Sequence, residues 1–347
     1  IKGTLSRIAI DSLDISGASL SISNPKMGAR PQYSVGNVNI VLEGFELDSL
    51  AYLNKSKILY SDNLNVALND FHMTLPDNRH QLNADKLALS TKTEIVRADK
   101  ISINPMRMAA DSTAKTMRIS IPLLELSGLN MKKAYNSKEF NIGSLRISMP
   151  EIKTRSFIDS IQDSGHAPKS KRNLLAALHE EYFHSLTIRS FQIYKGMVDI
   201  TSKAFIKEDS LTLSGKLSLT IGGFTLSSST ISDETLPFLT SSVKISLDDA
   251  VAKPSRSPHT LRCGNFMLDT RKDMASISNL SYTAESDTSL IHTLRRLGKH
   301  SVMNISIEKA GCSKAQLLAA LYHGRINIES LKISNPRFQM SVFPQLK

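Results

Sequence analysis

Ile10-Asp-Ser-Leu13-Asp-Ile15-Ser-Gly-Ala-Ser-Leu20-Ser-Ile22 decides the fold class of this 347-residue chain. Leu13 and Ile15 stand two apart, as do Leu20 and Ile22, and that period places alternate side chains on one face of a strand. The same spacing returns as Ile188, Phe191, Ile193, Val198 and Ile200, and again as Ile328, Leu331, Ile333, Phe338 and Met340. Between the two alternating stretches lies Ser16-Gly17-Ala18-Ser19, which reads as a turn. Each copy is therefore expected to form a β-hairpin with one apolar and one polar face. Ser23-Asn24-Pro25 closes the first copy, and Ser334-Asn335-Pro336 lies inside the last.

A longer repeat surrounds these phrases. Val38-Asn-Ile-Val-Leu-Glu-Gly-Phe45 resembles Leu217-Ser-Leu-Thr-Ile-Gly-Gly-Phe224 at an offset of 217 − 38 = 179. His80-x-Leu82 meets His259-x-Leu261, and Leu87-x-Leu89 meets Phe266-x-Leu268, at the same offset. After a small insertion, Phe140-Asn-Ile-Gly-Ser-Leu-Arg-Ile147 matches Ile326-Asn-Ile-Glu-Ser-Leu-Lys-Ile333 at 326 − 140 = 186. One offset held through many strands and their loops marks an internal duplication. The expectation is an elongated, mainly antiparallel all-β protein with a few short helices, its duplicated sheet curled into a groove. Residues 1–152 form one β-rich unit, 153–185 a linker with a short amphipathic helix, and 186–347 the second unit. The linker helix is read at Asn173–Tyr182, where Leu174, Leu175, Leu178 and Tyr182 share a face. A near copy at Gln316–Tyr322 has Ser313 available as a cap, and Ser289–Leu297 is a third candidate.

Composition narrows the classes. Apolar residues make up 41% of the chain, yet aromatics only 6%, with no Trp. Leu, Ile and Val must therefore supply the buried area that aromatic rings usually give. The net charge of +11 suits anionic partners. The charges are scattered, the densest cluster being Lys169-Ser-Lys-Arg172, whereas nucleic-acid binders carry a concentrated stripe with interleaved aromatics. No nucleic-acid partner is expected. Cys263 and Cys312 make neither a disulfide framework nor a metal site. No run of about 18 apolar residues is present to cross a membrane as a helix. The sequence opens at Ile1 already in a strand-like pattern, and a signal or membrane anchor is expected ahead of it.

Candidate chemistry fails on spacing. His179-Glu-Glu-Tyr-Phe-His184 has a gap of five where a zinc-protease helix needs four. His80 and His259 occupy equivalent places without a second ligand at metal spacing, and are expected to be hydrogen-bonded loop histidines. Ser241-Ser-Val-Lys244 fits the Ser-x-x-Lys string of serine acylases, but it lies where alternation demands a strand. No enzyme activity, catalytic residue, metal or cofactor is assigned. The remaining candidate is the aliphatic stripe itself.

The phrases Ile10-Asp-Ser-Leu-Asp-Ile15, Ile142-Gly-Ser-Leu-Arg-Ile147 and Ile328-Glu-Ser-Leu-Lys-Ile333 resemble those of the AsmA-like proteins of Gram-negative envelopes, which include TamB-type members. The resemblance implies a membrane-anchored periplasmic protein with a curled β-groove, similar to eukaryotic bridge-like lipid-transfer proteins. In such a groove lipid tails ride the apolar trough while head groups stay wet. Phospholipid or another amphiphile is the partner this implies, and outer-membrane biogenesis or maintenance the role. The competing expectation is a surface binding module, an adhesin or a glycan- or protein-recognition β-protein, whose apolar stripe is sealed inside a sandwich.

Overall fold

A computed structural model describes residues 7–23, 31–48, 50–51, 54, 56–75, 80–106, 116–156, 184–206, 209–227, 240–255, 257–284, 289–317, 319 and 327–343. Strands β1 (Arg7–Ser23), β2 (Pro31–Asp48), β3 (Asn63–Thr74), β4 (His80–Ser90), β5 (Ile95–Pro105) and β6 (Thr116–Ser127) form an antiparallel meander. Helix α1 (Met131–Ser137) leads from it into β7 (Glu139–Ser148) and β8 (Glu151–Ser156). The pattern then starts again with β9 (Ser185–Ile206), β10 (Asp209–Ser227), β11 (Ser242–Pro254), β12 (His259–Asp269) and β13 (Met274–Ala284). Helix α2 (Ser289–Arg296), β14 (Ser301–Ser313), β15 (Ser330–Ser334) and β16 (Arg337–Val342) complete it. All sixteen strands belong to one sheet. The expected all-β, mainly antiparallel class holds; the exceptions are β7 and β8, which both run parallel to β9.

The expected hairpins are not hairpins. β1 continues through Ser16–Ser19 without reversing and pairs with β2 from Arg7 to Ser23. The second copy lies within the single strand β9. In the third, β15 and β16 follow one another along β14, from Ser330 opposite Ser313 to Val342 opposite Ser301. The residue two places after Ile15 explains this. Gly17 sits at φ +70°, in the left-handed region, within an otherwise extended strand. The same conformation recurs in every second strand, at Asp70, Lys100, Met149, Lys195, Asp249, Asn279 and Asn335, with φ between 47° and 54°.

One left-handed residue turns the following chain to its other side without reversing it. In an unbroken strand, residues an odd number apart point to opposite faces. Here the turned residue absorbs one position, so Val66 and Leu68 before Asp70 share a face with Phe71 and Met73 after it. Such irregularities bend a strand and sharpen its twist, and their alignment from strand to strand makes a crease along the sheet. Neighbouring chains come close there. A Cβ on Gly36 would lie 3.1 Å from Asp70 Cβ, and one on Gly264 would lie 3.1 Å from Asn279 Cβ. At the two interrupted strands, Met149 and Asn335 are followed by Pro150 and Pro336. Proline has no N–H to give to the ladder, so it suits a place where pairing already lapses.

The backbone repeats at the offset seen in the sequence. Left-handed residues pair as Asp70 and Asp249, Glu94 and Asp273, and Lys100 and Asn279, each 249 − 70 = 179 residues apart. Turn bonds repeat too: Leu64 N donates to Thr91 Oγ1 at 2.8 Å, and Val243 N donates to Thr270 Oγ1 at 2.8 Å.

Short helices cover the strand ends. Asn130 caps α1 by accepting from Lys133 N at 2.9 Å, and Lys138 ends it in the left-handed conformation. Met131 and Leu129 pack into a buried cluster with Ile58, Leu42, Leu64, Ile142 and Ile188. α2 forms where the periodicity of Leu290, Ile291, Leu294 and Leu297 places it, and Leu294 is fully buried. Leu317 and Ala319 are helical, but Leu317 N is capped by Asp273 Oδ1 at 3.1 Å, not by Ser313, which ends β14. The expected helix at 173–182 lies outside the described residues. Residues 153–156, read as linker, belong to β8.

Candidate functional site

The aliphatic residues picked from the sequence fall into rows that run across the sheet, each residue directly opposite the next. One row runs from Ile15 through Ile40, Val66, Leu89, Val96, Leu126 and Leu145 to Phe191. Beyond the crease, Ile22, Tyr33, Met73, Leu82, Ile103, Ile119 and Ile152 lead to Val198. From β9 onward, Ile193 connects through Leu219, Ile245, Leu268, Ala275 and Cys312 to Leu331. Ile200 connects through Leu213, Ala252, Leu261, Tyr282 and Ile305 to Phe338. The three sequence copies are thus brought into one surface.

The opposite face is polar. Ser21, Ser34, His72, Asn83, Ser102 and Ser120 stand in a row one place out of step with the aliphatic one. His72 Nδ1 and Asn83 Oδ1 are 2.6 Å apart, and Asn83 Nδ2 donates to Ser102 Oγ at 3.5 Å. In the second half, Lys216, Asp248, Asn265, Ser278, Lys309 and Ser334 form a polar row on the other side of the crease, with Asn265 Nδ2 donating to Asp248 Oδ1 at 2.5 Å. A depression of about 360 Å³ lies on this side, over Asn39, Ala67, Ala88 and Arg97.

Burial grades along the aliphatic face. Ile188, on a strand paired on both sides, is 8% exposed, and Phe191, Ile193, Val198 and Ile200 are half-buried. On β1, Leu13 is half-buried, while Ile10, Ile15, Leu20 and Ile22 are exposed. At the other edge Ile328, Ile333 and Met340 are exposed, with Leu331 at 64% and Phe338 at 69%. Side chains interdigitated between two facing sheets would be buried throughout. Here Val66, Leu89, Val96, Leu126 and Leu145 remain half-buried in the middle of the sheet. Buried side chains gather in a cluster at the end capped by α1, and in the second half Thr260, Leu294 and Val302 are buried.

The polar residues singled out earlier have structural surroundings. His80 and His259 are not loop residues; each begins a strand and is buried. His80 Nε2 accepts from Met117 N at 3.2 Å. His259 stacks on Tyr282 with ring centroids 4.5 Å apart, and burial, then the nearby Lys299 charge, holds its imidazole below the usual histidine range. Ser241 Oγ donates to Gly222 O at 2.9 Å, beside the start of β11. His184 Nδ1 lies 2.8 Å from Ser137 O, and His179 is outside the described residues. Cys263 and Cys312 are separate thiols, and burial pushes the Cys263 thiol up. Among the described residues no group of three or more metal-ligating side chains converges, and no helix is long and apolar enough to cross a membrane.

The crease was the feature that sequence reading missed. Its signal was present: the gap between Ile193 and Val198 reads Tyr-Lys-Gly-Met, which is poor turn chemistry, and a five-residue step restores the same face only through an irregularity. The chain matches no protein-family model and no curated protein.

Proposed function

We propose that this chain is a periplasmic, AsmA-like cell-envelope protein that holds or conveys lipid along its creased aliphatic face, serving outer-membrane biogenesis or maintenance. The observation that carries this reading is the continuity of the aliphatic rows through every strand, with a polar row on the reverse face. Thirteen spacings of about 4.8 Å along the strand path make the face about 60 Å long. A surface of that length built of Leu, Ile and Val offers an acyl chain contact without specific recognition, at about 0.8 kcal/mol per methylene buried. Lys and Arg on the rims and reverse face favour anionic head groups at roughly 1 kcal/mol each near a charged surface.

The test is native mass spectrometry of the purified protein together with Val66→Thr, Val96→Thr and Val198→Thr combined. Threonine keeps the strand-favouring shape but puts a hydroxyl on the face. An open lipid-bearing face predicts phospholipid on the parent protein, at least fivefold less on the variant, and a stability loss under about 1 kcal/mol per site. Lipid-free protein whose variant loses roughly 1–3 kcal/mol per site, the cost of burying an unpaired hydroxyl, favours the sealed binding module instead.

A further inference from the structure

The internal seam, where β9 joins β7 and β8, supplies a template for the two edges of the sheet that no described strand covers. Along the seam the strands run parallel, with Ile142 beside Ile188, Leu145 beside Phe191, Ile147 beside Ile193 and Ile152 beside Val198. Two bonds bridge its crease: Met149 N donates to Tyr194 O and Pro150 O accepts from Met197 N, both at 2.7 Å. Moving β7 and β8 forward by 335 − 149 = 186 residues gives β15 and β16; moving β9 back by 195 − 17 = 178 gives β1. The outer edges thus carry the two sides of the seam, separated.

We infer that a second copy of this chain adds its β1 to the β15–β16 edge of the first, in the parallel register of the internal seam. That register sets Leu331 beside the partner's Leu13, Ile333 beside its Ile15 and Phe338 beside its Leu20. On the polar side Lys332 falls beside Asp14, an opposite-charge pair where the internal seam has Arg146 and Gln192. Glu329 comes near Asp11, but its carboxylate already pairs with Lys314 at 2.8 Å. Exposure shows what the missing neighbour leaves bare. Leu331 and Phe338 are 64% and 69% exposed, whereas Leu145 and Ile152, their seam counterparts, are half-buried. A strand edge that is long and apolar associates with another strand unless it is blunted. The contact is head-to-tail, so each added copy leaves the same two edges at its ends and lengthens the aliphatic face. Strand addition needs only the edges and does not depend on the lipid reading.

Disulfide trapping tests the register, in a Cys263→Ala, Cys312→Ala background whose fold is checked by circular dichroism. Ser144 beside Ser190 in the seam corresponds to Ser330 beside Ser12. The variant carrying Ser12→Cys and Ser330→Cys is expected to give a ladder of covalent multimers on mild oxidation. Ser12→Cys with Ser334→Cys, four residues out of register, is expected to give at least tenfold less. Sedimentation of the unaltered protein reads association independently, and Leu331→Lys, at an exposed position, is expected to weaken it at least tenfold. Equal trapping by both pairs, equal trapping by Ser12→Cys alone, or a unaltered protein that stays monomeric across the concentration range would overturn the proposal.

Discussion

Met149 shows the residue-scale principle of this fold. It is a side chain at φ 47°, ahead of a proline, and its Cβ makes that conformation cost about 1–2 kcal/mol. The cost is borne because the turned residue keeps Leu145 and Ile147 on the same face as Ile152. Replacing Met149, itself 56% exposed, with Gly is expected to raise unfolding stability by about 1 kcal/mol, and Met149→Ile to lower it by about as much. Urea denaturation of the pair checks this; equal midpoints would mean that the left-handed conformation carries no strain there. Little in the sequence reveals such residues, because Gly, Asp, Lys, Met and Asn all occupy the crease. Position in the alternation selects them, not side-chain type.

At the scale of elements, period two located the strands because each has one apolar face, and it fails only where a strand changes step. The hairpin reading arose from Ser-Gly-Ala-Ser, whose small polar residues suit a turn and a crease equally. α2 was legible from four apolar residues at helical spacing, whereas α1 has only Met131 and Ala134 to show and was not. The buried cluster explains α1: Met131 shares it with Leu42, Leu64 and Ile188, residues far away in sequence. For α2, Leu294→Ala is expected to cost about 2–5 kcal/mol as a buried truncation, and Ile291→Ala, 37% exposed, less than about 1 kcal/mol. Thermal unfolding of the two variants separates them, and similar losses would show that α2 is not held by Leu294.

For the whole molecule, the net charge of +11 acts at a distance and the aliphatic face acts on contact. Co-sedimentation with vesicles rich in anionic lipid is expected at 50 mM salt and to fall at least tenfold at 500 mM, where screening confines attraction to a few ångströms. Binding that is insensitive to salt, or equal on neutral vesicles, would remove charge from the account. What the sequence determined by itself was the all-β class, the one-sided apolar character of each strand and the recurrence at offsets of 179 and 186, since alternation and repetition are properties of the chain alone. Only the tertiary structure decided that the apolar phrases are creased strands, that the second half joins the first in parallel through β9, and that the described strands end in matching edges at both sides. Those features depend on which strands become neighbours and where their backbones turn over, and a parallel pairing such as Ile142 with Ile188, across the whole of 157–183, leaves no local periodicity to read.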